Sequence, residues 1–348
     1  MQITTRIFAE TNGESVRAFT MTNDHGMEVT CIEYGCIITE LKTPDRHGNL
    51  ENIVLGFDRM DDYEKHSQYF GAVIGRVAGR IANGEFMLDN QSYTLANNEG
   101  ENHLHGGEKG FDKVVWKGET IDSQDEVGVE FSYISRDGEE GYPGTLSMSV
   151  RYILNNDNEL KVMYSGKADQ KTLVNVTNHS YFNLSGNLKR DILEHELTLK
   201  SSQFLQLNDQ LLPTGTVLDV VDTPFDFRNG RKIIDGTKAT YEQNVIVGNG
   251  YDHPFKLDTN LQQEIRLVDE ESGRCLEMET TEPCVVLYTG NALQEGVPIR
   301  GVRSRKYLAL CLETQGFPDA IHHPDLPSIV LEEGEEYLST TTYRFRTV

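Results

Sequence analysis

Apolar and polar positions alternate every second residue along much of this chain. From Leu146, the residues Leu146, Met148, Val150, Tyr152 and Leu154 alternate with Ser147, Ser149, Arg151 and Ile153. Successive side chains of an extended chain point to opposite faces, so this stretch reads as a half-buried strand. Asn155-Asn156-Asp157-Asn158 follows, and Leu160, Val162 and Tyr164 then resume the alternation. Strand, polar turn and strand predict a hairpin. The same pattern surrounds Asp89-Asn90 between Glu85 and Leu95, and Ser272-Gly273 divides two further extended stretches. Near the C-terminus, Leu308, Leu310 and Leu312 share one face while Ala309, Cys311 and Glu313 share the other. Helical periodicity is nearly absent, and the best helix candidate is a short one around Asp58 to Tyr69. Many strands joined by turns rich in Gly, Asn and Asp predict an all-β fold: a large antiparallel β-sandwich with few short helices. No linker, repeat or compositional break divides the chain, so residues 1–348 read as one continuous domain.

Composition narrows the partners. The chain is 37% hydrophobic and 25% charged, as a globular protein is, and carries a formal net charge of −23. That field repels a phosphate backbone, and Lys and Arg form no basic run to counter it, which argues against nucleic acid. Sugar phosphates are mildly disfavoured for the same reason, whereas a neutral ligand is indifferent. The five cysteines, Cys31, Cys36, Cys275, Cys284 and Cys311, form neither a Cys-x-x-Cys pair nor a disulfide framework. The first residues lack a basic segment followed by an apolar one, and no stretch approaches the length of a membrane span. The expected compartment is the cytoplasm, with thiols reduced. Monomer and homodimer stay equally open.

Four places could carry chemistry. In Asn102-His103-Leu104-His105-Gly106-Gly107, an extended backbone would put both histidines on one face, with a glycine pair allowing close approach. The stretch reads as a sugar-binding or acid–base histidine, as a loop histidine with satisfied hydrogen bonds, or, with Glu108, as part of a cupin-like metal site. Asn175 to Gly186 sets His179 among amides, hydroxyls and the aromatics Tyr181 and Phe182. Carbohydrate sites use that mixture, because amides bond sugar hydroxyls and rings cover the apolar sugar face; a polar strand edge with an aromatic core contact would look the same. In Tyr251-Asp252-His253-Pro254-Phe255, proline predicts a rigid turn that fixes Asp252 and His253, or a simple surface turn. In Leu310 to Asp319, alternation puts Glu313 opposite the leucine face at the end of an apolar strand. Desolvation there would raise its pKa towards that of a working base; an exposed outer-face glutamate is the other reading. Arg80, between glycines 79 and 84, is a weaker candidate. No phosphate-binding loop, Gly-x-Ser-x-Gly or His-Glu-x-x-His occurs.

Taken together, these motifs resemble the galactose mutarotase, or aldose 1-epimerase, family along nearly the whole chain. Asn178-His179-Ser180-Tyr181-Phe182-Asn183-Leu184 is the most specific stretch, followed by Glu313-Thr314-Gln315 with Phe317-Pro318-Asp319. His105-Gly106-Gly107, Gly79-Arg80-Ile81, Asp252-His253-Pro254-Phe255 and Gly334-Glu335-Glu336-Tyr337 fall in the family's order. The resemblance implies a large antiparallel β-sandwich and an isomerase that interconverts the anomers of a free aldohexose such as galactose or glucose. It implies Glu313 as catalytic base, His179 as catalytic acid, His105 near the sugar ring oxygen, and Arg80 and Asp252 on sugar hydroxyls. Tyr288 matches a position beside the sugar. No metal or other cofactor is implied. Gly79 departs from the family, where many relatives have Asn, and this leaves sugar preference open. The rival readings are an epimerase of a hexose 6-phosphate or a disaccharide, a non-catalytic carbohydrate-binding protein, and a metal enzyme using His103 and His105.

Overall fold

The alternating pattern folds into three principal antiparallel sheets in the computed structural model, which describes residues 1–348. The N-terminal sheet runs in chain order through five strands, from Gln2–Thr11 to Leu50–Asn52. The largest sheet has nine strands. Its central members are Glu126–Ser135, Leu146–Asn155, Glu159–Ala168, Glu336–Thr347 and Arg274–Thr280. The third sheet has six strands, in the order Tyr181–Phe182, Leu310–Gln315, Cys284–Tyr288, Asp252–Lys256, Gln203–Leu207 and Pro213–Asp219. Three short α-helices complete the fold, and the first, Met60–His66, lies inside the stretch predicted as helical. The all-β antiparallel sandwich expected from the sequence is the architecture found.

The predicted hairpins form in register. Leu146–Asn155 pairs with Glu159–Ala168, with Leu154 opposite Leu160 across the polar turn. Glu85–Leu88 pairs with Gln91–Thr94 around Asp89-Asn90, and Ile265–Asp269 pairs with Arg274–Thr280 around Ser272-Gly273. Inward side chains of the first and third hairpins feed a core cluster of 52 residues, whereas Phe86 and Leu88 of the second join a smaller cluster of 13. Val129, Val150, Val162 and Leu276 enter the larger cluster from the nine-stranded sheet, and Phe255, Val285, Leu287, Leu310 and Leu312 from the six-stranded one. Each large apolar side chain so buried contributes about 1.5–3 kcal/mol. A hydroxyl pair bridges the two sheets through this core, with Thr314 Oγ1 and Thr341 Oγ1 2.7 Å apart.

The segment around Pro254 is a correction to the predicted turn. Asp252–Lys256 is a strand inside the six-stranded sheet, paired with Cys284–Tyr288 over its full length. On its other side the pairing with Gln203–Leu207 involves only Phe255 and Lys256. A proline inside a sheet needs a place where its missing N–H is not required. Pro254 sits one residue beyond the end of that second ladder, which is such a place.

The six-stranded sheet is covered on both faces. One face carries Leu310, Leu312 and Phe182 into the main core. The other carries Cys311, Glu313 and Gln315, which are also buried, because loops from residues 69–80 and 103–107 close over them. Leu276→Ala tests the shared core away from these loops. Leu276 is fully buried and pairs with Leu267 and Phe345. The substitution is expected to cost about 2–5 kcal/mol in urea unfolding; a cost under about 1 kcal/mol would contradict a common core at this point.

Candidate active site

Sheet register brings the candidate residues together. Tyr181 pairs with Cys311, Cys311 with Tyr288, and Tyr288 with Asp252, so these four residues form one row across four strands. The next row on the same face is Glu313, Val286 and Pro254. Side chains two apart on a strand share a face, so the two rows make a floor. A cavity of about 280 Å³ stands on it, and Glu313, His179, His105, Arg80, Asp252 and Tyr288 all line that cavity. The sequence proposes these six as a set, and the structure brings them all into one space.

His179 lies between the strands Thr177–Asn178 and Tyr181–Phe182 and is clamped by its backbone. Its N–H donates to Ala72 O at 2.8 Å, and its carbonyl accepts from Gly71 N at 3.1 Å. The side chain of Asn178 reinforces the bend by accepting from Ser180 N at 3.0 Å. The ring packs against Tyr69, Tyr181 and His105, with centroids 5.6, 4.9 and 5.3 Å away. This aims His179 Nε2 at Glu313 Oε1, 3.6 Å distant. Both side chains are only 4% exposed, which removes most of the water that would otherwise stabilise a charge on either. Burial therefore pushes the Glu313 carboxyl well above its ordinary range, with Asp252 pushing the same way and Arg80 opposing. Burial also pulls His179 down to about 4. Glu313 was expected at a strand end, but its strand continues to Gln315 and the desolvation comes from the covering loops.

The two histidines of the 102–107 motif do not share a face, which corrects the extended reading. The strand ends at Leu104, and His105 takes a left-handed backbone conformation with φ of 51°. His103 turns into the core, where Ala96 O and Tyr142 Oη stand 2.7 Å from its two ring nitrogens. Both nitrogens are spent, so a metal site built on His103 and His105 is ruled out. His105 turns into the cavity. Gly79 N donates to its Nδ1 at 3.2 Å, and burial keeps the ring neutral by pulling its pKa well below the usual value. The remaining proton then sits on Nε2, leaving a hydrogen-bond donor. His105, His179 and Glu313 do bring three potential ligand atoms within 4.8 Å of one another. A metal there would need the His105 lone pair that Gly79 already occupies, so this donor set fits a cation poorly.

Arg80 is held by Glu99 through two bonds of 2.8 and 2.6 Å, the bidentate geometry that suits guanidinium and carboxylate. Asp252 faces the same arginine, and burial raises its carboxyl to about 6 while Arg80 opposes that rise. Arg80 is the only Lys or Arg lining the cavity, against the carboxylates of Glu99, Asp252 and Glu313. Tyr288 Oη accepts from Ala292 N at 3.0 Å, which fixes the ring beside the cavity. The sequence reading missed Tyr69, Glu99 and Gln315 among the lining residues. Gln315 could have been found, since it lies two residues beyond Glu313 on the same strand face. Glu99 reaches the site only by pairing with Arg80, and nothing local signals that.

Glycines let the loops meet. A Cβ on Gly106 would stand 1.8 Å from Gly75 O, so the two loops interlock only without a side chain there. Arg76 anchors the lower loop by donating to the carbonyls of Pro143 and Gly144 at 2.9 and 3.0 Å. Gly79 has φ of 76°, and a Cβ on it would stand 2.8 Å from the Pro318 Cβ. Gly79→Ala is therefore expected to lose about 1–3 kcal/mol of stability in urea unfolding. An unchanged midpoint would show that the Pro318 loop yields.

A family model described as aldose 1-epimerase matches residues 17–344 of the chain. The galactose mutarotase of Bos taurus is 44% identical over 334 residues, 95% of this chain and 94% of its own. The galactose mutarotase of Homo sapiens is 42% identical, with 99% of this chain and 98% of its own aligned. Among solved structures, the galactose 1-epimerase of Lactobacillus acidophilus NCFM superposes with a TM-score of 0.89 at 27% identity, covering 99% of both chains.

Proposed function

This chain belongs to the aldose 1-epimerase family, and from that premise we propose that it interconverts the α and β anomers of free aldohexoses, with Glu313 as base and His179 as acid. The observation that carries the reading is the 3.6 Å approach of His179 Nε2 to Glu313 at the floor of the cavity. The cavity volume, about 280 Å³, lies just below the roughly 300–1,000 Å³ of drug-sized ligand sites and suits a single sugar ring.

Anomer exchange needs one proton removed and one supplied. Glu313 takes the proton of the C1 hydroxyl while His179 gives its Nε2 proton to the ring oxygen. The C1–O5 bond breaks and the aldehyde forms. Rotation about C1–C2 presents the other carbonyl face, and ring closure reverses both transfers. The reacting form of the pair is carboxylate and imidazolium, the tautomer of the carboxylic acid and imidazole that burial favours at rest; after opening the pair is carboxylic acid and imidazole. Both states are neutral overall, so the buried site changes no net charge during turnover. Water performs the reaction slowly, and each positioned group adds on the order of 10²–10⁴-fold. The scheme calls on no metal or redox group. His105 offers Nε2–H to a sugar oxygen, Arg80 and Asp252 bond hydroxyls, and the Tyr288 ring lies beside the sugar.

Charge favours a free sugar over a phosphorylated one. A phosphate would want several converging cations, and Arg80 is already paired with Glu99. We read residues 1–348 as one catalytic domain, because a single core cluster draws on all three sheets. No helix is long and apolar enough to cross a membrane, and we assign the enzyme to the cytoplasm, which suits its five free cysteines.

Glu313→Gln is expected to lower the mutarotation rate of fresh α-galactose or α-glucose in polarimetry by at least about 10²-fold, with sugar binding retained. A normal rate would sink the assignment of the base. His179→Asn should damage turnover similarly; a loss confined to affinity would make the histidine a binder. The pH profile follows from the pair's shared proton. On the acid side, activity falls as a second proton reaches His179 near pH 4; on the alkaline side, it falls as the pH passes the raised carboxyl value and the pair empties. An acid limb near the ordinary histidine value of about 6.5 would contradict this.

A further inference from the structure

Cys311 stands against the Nδ1 edge of His179, the edge away from Glu313. Its sulfur lies 3.3 Å from His179 Nδ1, and both residues are buried. The contact is a product of register: Cys311 pairs with Tyr181, two residues after His179.

We propose that Cys311 is a positioning residue for His179, its sulfur accepting the Nδ1–H so that Nε2 alone gives up and recovers the proton. The inference rests on His179 being the acid. When an imidazolium releases its Nε2 proton, the product must keep the other on Nδ1, or Nε2 lacks the lone pair needed to take a proton back. A buried Nδ1–H needs an acceptor. Many catalytic histidines meet a carboxylate there, which raises their basicity. Here the ring meets a thiol, a weak and neutral acceptor, together with its own main-chain carbonyl. Burial, with Glu313 and Asp252 adding to it, pushes the thiol pKa well up, so the sulfur brings no charge.

The other groups facing the ring do not supply this. Glu313 stands at Nε2, and His105 is neutral. Tyr69, Tyr181 and Tyr288 present protonated rings, and Arg80 and Asp252 lie beyond, across the cavity. Stabilisation of the imidazolium is thus left to Glu313, which is also the group that loses its charge as the ring opens. A weak Nδ1 partner leaves His179 acidic enough to protonate a feebly basic ring oxygen.

The test is the pH profile of kcat/KM for Cys311→Ser and Cys311→Ala, with His179→Asn beside them and thermal unfolding as a check on folding. Serine offers a stronger acceptor of similar size and should favour the imidazolium, moving the acid limb to higher pH. Alanine removes the sulfur and leaves only the main-chain carbonyl, and should move that limb to lower pH and cut kcat by about 10–100-fold, with serine restoring much of the loss. A purely structural role predicts a lower rate or stability with the acid limb unmoved in both variants, and that result overturns the proposal. Full turnover in His179→Asn would overturn the reading of His179 as the acid, and this inference with it.

Discussion

A carboxyl group and an imidazole held 3.6 Å apart, each side chain only 4% exposed, is the constraint from which the rest of this molecule follows. Either group alone would resist charge in such surroundings. Together they can hold one proton in either of two electrically neutral arrangements, and desolvation penalises neither as it would an isolated ion. Keeping the pair dry requires both faces of a sheet to be covered. The leucine face is covered by the main core, and the Glu313 face by the loops at 69–80 and 103–107. The interlocked glycines, the Arg76 anchor and the left-handed turn at His105 are the local conditions for that second cover.

Function follows from the same constraint. In the proposed mechanism, ring opening of a sugar moves one proton onto the carboxyl and another off the imidazole, so the chemistry is an exchange between the pair's two neutral states. The polar groups proposed to hold the sugar do not disturb that balance. His105 is fixed as a neutral donor by Gly79, and Arg80 is neutralised by Glu99. A cavity with one paired arginine and three carboxyl groups disfavours a phosphate, as does the acidic charge of the whole chain.

Much of this was legible in the sequence, for identifiable reasons. Period-two alternation is a local property, so the hairpins at 146–168 and 85–95 could be read directly. The resemblance pointed to six site residues, and all six line one cavity. Errors arose where tertiary context overrode local habit. Pro254 suggested a turn because proline lacks an N–H, yet it sits where the ladder no longer asks for one. His103 and His105 looked alike until the backbone reversed between them, sending one to Tyr142 and the other to the cavity. Glu99 carried no local mark, because its place depends on Arg80, nineteen residues away. Alternation placed Cys311 on the face opposite the leucines, and only the register with Tyr181 sets it against His179.

Neutron diffraction from crystals of the free protein near pH 7 tests the shared proton most directly, since deuterons become visible where the account needs them. The account predicts one deuteron between Glu313 Oε1 and His179 Nε2, and a second on Nδ1 facing Cys311. An empty gap between the carboxylate and Nε2, or a protonated carboxyl beside a full imidazolium, would contradict it.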